Sequence, residues 1–355
     1  MTEVNHMKTC KFNRGLSIII ATYNASIMIE ETLRRLEVMH KIQNFPWEVL
    51  IIDNNSTDNT IEKARNFWNN QVDLRIINEP KQGAGYATFR GMKEAKYSYI
   101  SFVDQDNWVR PDWMINSVGN IESSELIGIV CGKGTPIFEV DEPAWFNRYQ
   151  QNFAVGPQSN HNGKAENINT FFYNAGSIMR KAAIDDLIHK GFAPFMKSRA
   201  TNQILAGDDT EIQMMLRFLG WEIHYQDNIC FDHYMPANRL SLEYFREMRK
   251  GMGATSVYLG IYRNALNAHF GRAQRTNINW KEMLDDSKRR TLSDPLAIGA
   301  SVFPKFASNH RVATFWSNYG ELQERNRLKE EFDKVQDEIY AWLDSWIANA
   351  KGSPL

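Results

Sequence analysis

Four short apolar runs, each closed by a polar turn, set the rhythm of the first hundred residues. Leu16-Ser-Ile-Ile-Ile-Ala21 is almost wholly apolar and rich in β-branched residues, the pattern of a strand buried on both faces. Thr22-Tyr23-Asn24 breaks it. Ser26 is placed to cap a helix running to about Met39, with Ile29, Leu33 and Leu36 on one face. Trp47 to Ile52 reads as a second buried strand, and the acidic, turn-rich Asp53-Asn-Asn-Ser-Thr-Asp58 then feeds a helix through Trp68. Val72 to Ile77 is a third strand, Lys81-Gln-Gly-Ala-Gly85 opens a further helix, and Tyr99 to Val103 is the fourth strand. Alternation of this kind predicts an α/β fold with a mostly parallel, Rossmann-like sheet flanked by helices. Ligands of such sheets bind beyond the carboxyl ends of the strands. Thr22, Asp53, Lys81 and Asp104 each follow a strand, so the fold is expected to bring them to one edge.

The second half is less regular. Leu126 to Cys131 and Trp221 to Tyr225 read as strands, as does Phe171 to Arg180. Between them lies a segment to Thr170 rich in Asn, Gly, Pro and aromatics, which reads equally as a binding loop or as a surface excursion packed by its own rings. From Leu240 the pattern turns helical. Gly251, Gly253 and Gly260 are too many for an isolated helix and imply close packing, expected against the sheet. Leu328, Phe332, Val335, Ile339, Trp342 and Trp346 alternate at four- and three-residue steps, a short apolar seam. It is read first as a helix docked on its own domain and second as a surface for self-association.

Composition narrows the class. The 355 residues, 43% hydrophobic and 12% aromatic, can build one large domain or two. A net charge of −1 gives no general attraction to nucleic acid. Cys10, Cys131 and Cys230 are scattered, suggesting neither a disulfide framework nor a zinc site. The first fifteen residues lack the apolar core of a signal peptide, and no run approaches the roughly 20 apolar residues that span a bilayer. The expectation is a cytoplasmic protein, with peripheral contact at the inner membrane face left open.

The candidate chemistry centres on Asp104-Gln-Asp106, which closes the fourth strand. Two carboxylates one residue apart suit a hard cation, Mg²⁺ or Mn²⁺, held together with phosphate oxygens. On its own the pair reads more readily as an acidic turn; convergence of the other strand ends favours the metal-diphosphate reading. A dinucleotide enzyme needs Gly-x-Gly-x-x-Gly in the first strand–helix turn, and Ala21-Thr-Tyr-Asn-Ala-Ser26 has no glycine. A Gly-x-x-x-x-Gly-Lys phosphate loop is absent as well. A second acidic cluster, Gly207-Asp208-Asp209-Thr-Glu211, precedes an amphipathic helix, and His233 follows a late strand.

Ile18-Ile-Ile-Ala-Thr-Tyr-Asn24, Val49-Leu-Ile-Ile-Asp-Asn-Asn-Ser-Thr-Asp-Asn-Thr60 and Phe102-Val-Asp-Gln-Asp106 together resemble family 2 glycosyltransferases of the GT-A fold, in order and spacing. The resemblance covers about residues 15 to 240, with a nucleotide-binding half at 15–110 and an acceptor half at 111–240; residues 241–355 form a helical extension outside it. It implies an inverting transfer from a nucleotide-sugar donor, a UDP-sugar by expectation, to a glycan, lipid-linked or protein-linked acceptor. It further implies that Thr22, Tyr23, Asp53 and Asn54 meet the nucleotide with Lys81 beside them. Asp104 and Asp106 hold metal and diphosphate, Asp209 is the catalytic base with Asp208 its neighbour, and His233 is a further metal ligand. Two departures stand out: members often carry two aspartates where this chain has Asp53-Asn54, and their Arg-Asn-x-Gly is here Thr88-Phe-Arg-Gly91. The rival readings are a nucleotidyltransferase, whose glycine- and basic-rich loop is missing after the first strand, and a nucleotide-sugar-binding protein without catalysis, which would lack the acids found here.

Overall fold

A computed structural model of the chain describes residues 12–69, 72–192 and 207–351. The chain divides into two compact units, one of residues 1–200 with 215–237, the other of 201–214 with 238–355.

In the first unit β1 (Asn13–Thr22), α1 (Ile29–Val38), β2 (Trp47–Asp53), α2 (Thr60–Phe67), β3 (Leu74–Asn78), α3 (Ala84–Glu94) and β4 (Tyr97–Phe102) alternate as the apolar pattern predicts. There follow β5 (Asn107–Val109), α4 (Trp113–Ile121), β6 (Ile127–Phe138), α5 (Phe146–Tyr149), β7 (Gly163–Lys164), β8 (Ile178–Arg180) and α6 (Lys181–His189). Helix α7 (Asp208–Phe218) and the long β9 (Glu222–Met235) close the sequence of this unit, although the first turns of α7 group with the other one. The strands make one mixed sheet in the order β3-β2-β1-β4-β8-β6-β9-β5, with β7 paired to β9. The β3-β2-β1-β4 half is wholly parallel. Its β1 and β2 are almost entirely buried, and Ile18, Ile20, Val49 and Ile51 pack with Leu33, Leu36, Trp113 and Met114. Burial on both faces is why these strands read as unbroken apolar runs.

Register fixes the edge. Thr22 pairs with Asp53 and Asp53 with Asn78, so three strands end level. β4 ends at Phe102, and the Val103 N–H still reaches the Ile19 carbonyl at 3.0 Å. The acidic loop therefore leaves the sheet beside Thr22.

Three local expectations change. Ser26 does not cap α1: the helix starts at Ile29, and the Ser26 N–H instead donates across the edge to Asp58 Oδ2 at 3.2 Å. The run from Phe171 is a strand only over Ile178–Arg180, because Gly176 turns the chain with φ +65° against the Phe231 ring. The segment after β6 is held by its own rings, with Phe146 centred 4.9 Å from Phe138 and 5.0 Å from Phe153.

The second unit is helical after its 207–214 stretch: α8 (Leu242–His269), α9 (Trp280–Leu292), α10 (Pro295–Ser301), α11 (His310–Arg327) and α12 (Phe332–Lys351). Of the α8 glycines, Gly253 serves α11 rather than the sheet, whereas a Cβ at Gly260 would meet nothing within 4 Å. A Cβ at Gly253 would collide with the Ser317 carbonyl, and one at Gly320 with the Lys250 carbonyl, so the two backbones nearly touch. The α12 seam docks within its own unit. Leu328, Phe332, Ile339 and Trp346 are buried there, so self-association through this seam loses its face. Among the described residues no helix is long and apolar enough to cross a membrane.

Candidate active site

The loop between β4 and β5 is a tight polar turn. The Asn107 N–H donates to the Asp104 carbonyl at 2.9 Å, and Asn107 Nδ2 to Asp104 Oδ2 at 3.1 Å. Asp104 is exposed and Asp106 buried. The short β5, unforeseen in the sequence, explains the difference. It pairs antiparallel with β9 in the register Asn107–His233, and the Tyr234 N–H donates to the Asp106 carbonyl at 2.9 Å. That pairing sets His233 Nε2 3.5 Å from Asp106 Oδ2, with both side chains nearly out of water. Trp108 stacks on Tyr234 at 5.2 Å, and Arg110 donates to Asp232 at 2.9 Å, which secures the β5–β9 pair.

Gln105, the middle residue of the motif, ties this loop to the first one. Its Oε1 accepts from Thr22 Oγ1 at 2.8 Å and from the Tyr23 N–H at 3.2 Å, while its carbonyl accepts from Thr32 Oγ1 at 2.6 Å. Thr22 is buried under this contact, and the Tyr23 ring is exposed beside it.

The loop after β2 is braced in the same manner. Asp53 Oδ1 accepts from the Ser56 N–H at 3.0 Å. Asn24 Oδ1 accepts from the Thr57 N–H at 2.8 Å. Asn24 and Asn55 stand at φ +50° and +65°, a conformation asparagine tolerates better than most residues. Burial alone would raise the Asp58 carboxyl, but hydrogen bonds from Thr60 and Ser26 outweigh it and bring it down to about 2.

Asn54 was expected to read the base. Its amide is instead spent on the β3–α3 loop: Nδ2 donates to the Glu79 carbonyl at 2.9 Å and the Lys81 carbonyl at 2.7 Å, and Oδ1 accepts from the Gly83 N–H at 2.7 Å. An amide side chain has two N–H donors and one oxygen, so little of it remains for a ligand. Asn54 thus positions Lys81, whose ammonium lies over the Tyr86 ring at 4.5 Å.

The donor set at 104–107 fits a hard divalent cation. The Asp106 carboxylate faces the His233 imidazole, Asp104 precedes it by two residues in the same turn, and Asn107 Oδ1 is a buried oxygen that accepts no hydrogen bond. Among the described residues no three His, Cys, Asp or Glu side chains stand close enough to hold an ion by themselves. An ion here would complete its shell with ligand oxygens.

Asp208 and Asp209 open α7 and are half-buried, in the chain's second unit. Two residues on, Glu211 is fully buried and accepts from Tyr262 Oη at 2.7 Å. Burial first, and then the Glu211 charge, push the Tyr262 phenol well above its ordinary value. The pairings of Gln105 and Tyr262 carry no sequence signal, since an isolated Gln or Tyr announces no partner. The turn asparagines do carry one, in Asn-Asn-Ser-Thr-Asp58.

An α/β sheet with acids at its carboxyl edge is the general ground on which the comparisons fall. Residues 17–188 match the model of glycosyl transferase family 2. Over 99 residues it is 33% identical to the uncharacterized glycosyltransferase YibD of Escherichia coli (strain K12), covering 27% of each chain. Over 118 residues it is 28% identical to the poly-beta-1,6-N-acetyl-D-glucosamine synthase of Staphylococcus aureus (strain COL), covering 33% of this chain and 28% of that protein. The chain thus matches less than a third of the length of these curated relatives. Among solved structures, TarS 1-349 of S. aureus in complex with UDP-GlcNAc aligns over 89% of this chain and 92% of that one, with a TM-score of 0.50 and 16% identity. At that identity the likeness is one of fold, GT-A.

Proposed function

We propose that this protein transfers a sugar from a nucleotide-sugar donor, a UDP-sugar, to an acceptor hydroxyl with inversion, in the assembly of a glycan or polysaccharide. The observation that carries the proposal is the Gln105 tie, which joins the acidic loop and the first strand's loop at one sheet edge, with His233 closed onto Asp106. Tyr23 and Asp53 meet the nucleoside, Asn54 and Thr22 position their loops, and Lys81 lies toward the phosphates. Asp104, Asp106 and His233 would hold Mn²⁺ or Mg²⁺, which when bound neutralises charge developing on the leaving diphosphate.

Asp209 is the base. An acceptor hydroxyl is a poor nucleophile until its proton is taken, and a placed carboxylate contributes roughly 10²–10⁴-fold. The acceptor oxygen, its proton passing to this base, attacks the anomeric carbon from the face opposite the diphosphate; the bond to the diphosphate oxygen breaks as the new one forms, so the centre inverts through an oxocarbenium-like transition state, as in glycoside hydrolysis. Asp208 lies beside it at the helix start, where a carboxylate is favoured by the helix dipole.

The test is thermal unfolding with UDP, GDP, dTDP and CDP, each with and without Mn²⁺. A ligand at about 100 times its dissociation constant adds roughly 2.7 kcal/mol to the stability of what it binds. The expected result is a metal-dependent rise with UDP that Asp106→Ala removes. A rise with no nucleoside diphosphate would overturn the proposal.

A further inference from the structure

The second unit carries an apolar patch that its own helices do not cover. Among the described residues twelve large apolar side chains are exposed, and five of them fall within residues 292–306: Leu292 (66%), Leu296 (71%), Val302 (72%), Phe303 (53%) and Phe306 (41%). Scattered exposed apolar residues are ordinary; five on three consecutive short turns are not. Leu292 ends α9, Leu296 lies in the seven-residue α10, and Val302 and Phe303 link α10 to the 3-10 turn Pro304–Phe306, which Phe306 closes. The Phe303 and Phe306 rings meet edge to face at 6.3 Å.

The charge around the patch selects its partner. Over residues 285–311 the basic side chains are Lys288, Arg289, Arg290, Lys305 and Arg311, and the acids are Asp285, Asp286 and Asp294, a positive excess in a chain whose net charge is −1. Asp285 and Asp286 engage Lys288, Arg289 and Arg290 from the preceding turn, and Asp294 engages Arg311. Lys305 has no ion-pair partner among the described residues, and its ammonium lies over the Phe306 ring at 5.1 Å, at the border of the apolar side chains. Protruding apolar tips with a basic border are what an anionic bilayer surface takes up. A second copy of the chain fits worse: a twofold contact buries the same patch on both sides and brings two copies of its positive excess together.

We infer that residues 292–306 dock the protein on an anionic lipid surface, with Leu296, Val302, Phe303 and Phe306 entering the headgroup region and Lys305 meeting lipid phosphate. This goes beyond the proposed transfer and does not depend on it. The full chain is floated with vesicles of phosphatidylcholine containing phosphatidylglycerol, and with vesicles of phosphatidylcholine alone. Binding is expected to the anionic vesicles, to weaken with added salt, and to fall about fivefold in Lys305→Ala, the worth of one basic side chain at such a surface. In the double variant Leu296→Asp, Phe303→Asp it should be lost. Both side chains are exposed, so the fold should persist, and an unchanged circular dichroism melt and UDP affinity check this. Absence of binding by the wild-type chain, binding indifferent to phosphatidylglycerol, or full binding by the double variant would each overturn the inference. So would light scattering that finds a dimer which the double variant splits, since the patch then belongs to a second copy.

Discussion

At the sheet edge of the first unit, loops are held by single side chains that reach across to backbone groups. Asn54 holds the 79–83 loop, Gln105 holds the turn at Tyr23, and Asn24 holds Thr57. In the second unit, helices are held by backbones at contact distance and by buried charge. The Glu321 carboxylate takes Arg325 Nε at 3.0 Å, Arg290 Nη2 at 2.8 Å and Ser287 Oγ at 3.0 Å, joining α9 to α11. Burial alone would raise its carboxyl, but the two arginines keep it below the usual range. The contrast teaches where damage spreads. A loop held by one amide can be loosened by one substitution while the sheet stands. A helix pair without room for a methyl group cannot yield locally.

Five substitutions sharpen that contrast, and the largest effect is on chemistry rather than on folding. Asp209→Asn removes the proposed base and should lower transfer by about 10²–10⁴-fold while UDP binding persists. A progress-curve assay with wild-type turnover in this variant would unseat Asp209. Next is Gly320→Ala. A helical Gly→Ala change normally gains about 1 kcal/mol, but here the new Cβ meets the Lys250 carbonyl, and overpacking typically costs about 1–3 kcal/mol. The helical unit should therefore melt earlier, while UDP affinity stays. Gly119→Ala in α4, where a Cβ meets nothing within 4 Å, is the control and should stabilise by roughly 0.5–1 kcal/mol.

Asn54→Ala leaves the 79–83 loop without its brace. Loss of partners for buried polar groups costs about 1–3 kcal/mol, and the expected outcome is weaker UDP binding with little change in the melt of the helical unit. Isothermal titration separates the two. The smallest effect follows from Asp58. Its folded value, about 2, lies below the ordinary 3.8, so its contribution is present above the unfolded value and fades as pH falls through the folded one. Asp58 is exposed, so the contribution is small. Melting temperatures of the wild type and Asp58→Asn should differ at neutral pH and converge below about pH 2.

The parallel half of the fold was legible because both-face burial writes itself as apolar runs, and strands β1 to β4 fall within two or three residues of the expected ones. The late strands were less so. β9 runs from Glu222 to Met235, well past the apolar Trp221–Tyr225: β6 pairs along both its parts and β5 with Phe231–His233, where buried and half-buried residues alternate instead of forming a uniform apolar run. At the site, sequence gave the identity of the strand-end residues but not their allegiance. Asn54 and Asp53 are adjacent and equally polar, yet one is spent on a neighbouring loop and the other holds its own. That division depends on which carbonyls the third strand presents, and no local pattern contains it. The α8 glycines were legible as a close contact, though not its partner: only the fold shows that α11 brings a glycine of its own.

The Gln105 side chain has a consequence for how ligands arrive. By accepting from both Thr22 and the Tyr23 N–H, it makes the loop proposed to meet the nucleoside and the acidic loop one mechanical body. An ion that stiffens the Asp104–Asp106 turn also stiffens Tyr23, and a nucleoside seated at Tyr23 does the same for the turn. Linkage is reciprocal, so whatever factor one gains from the other must be returned in full. Replacing this one glutamine by alanine would leave both loops their own residues and turn a joint event into two independent ones.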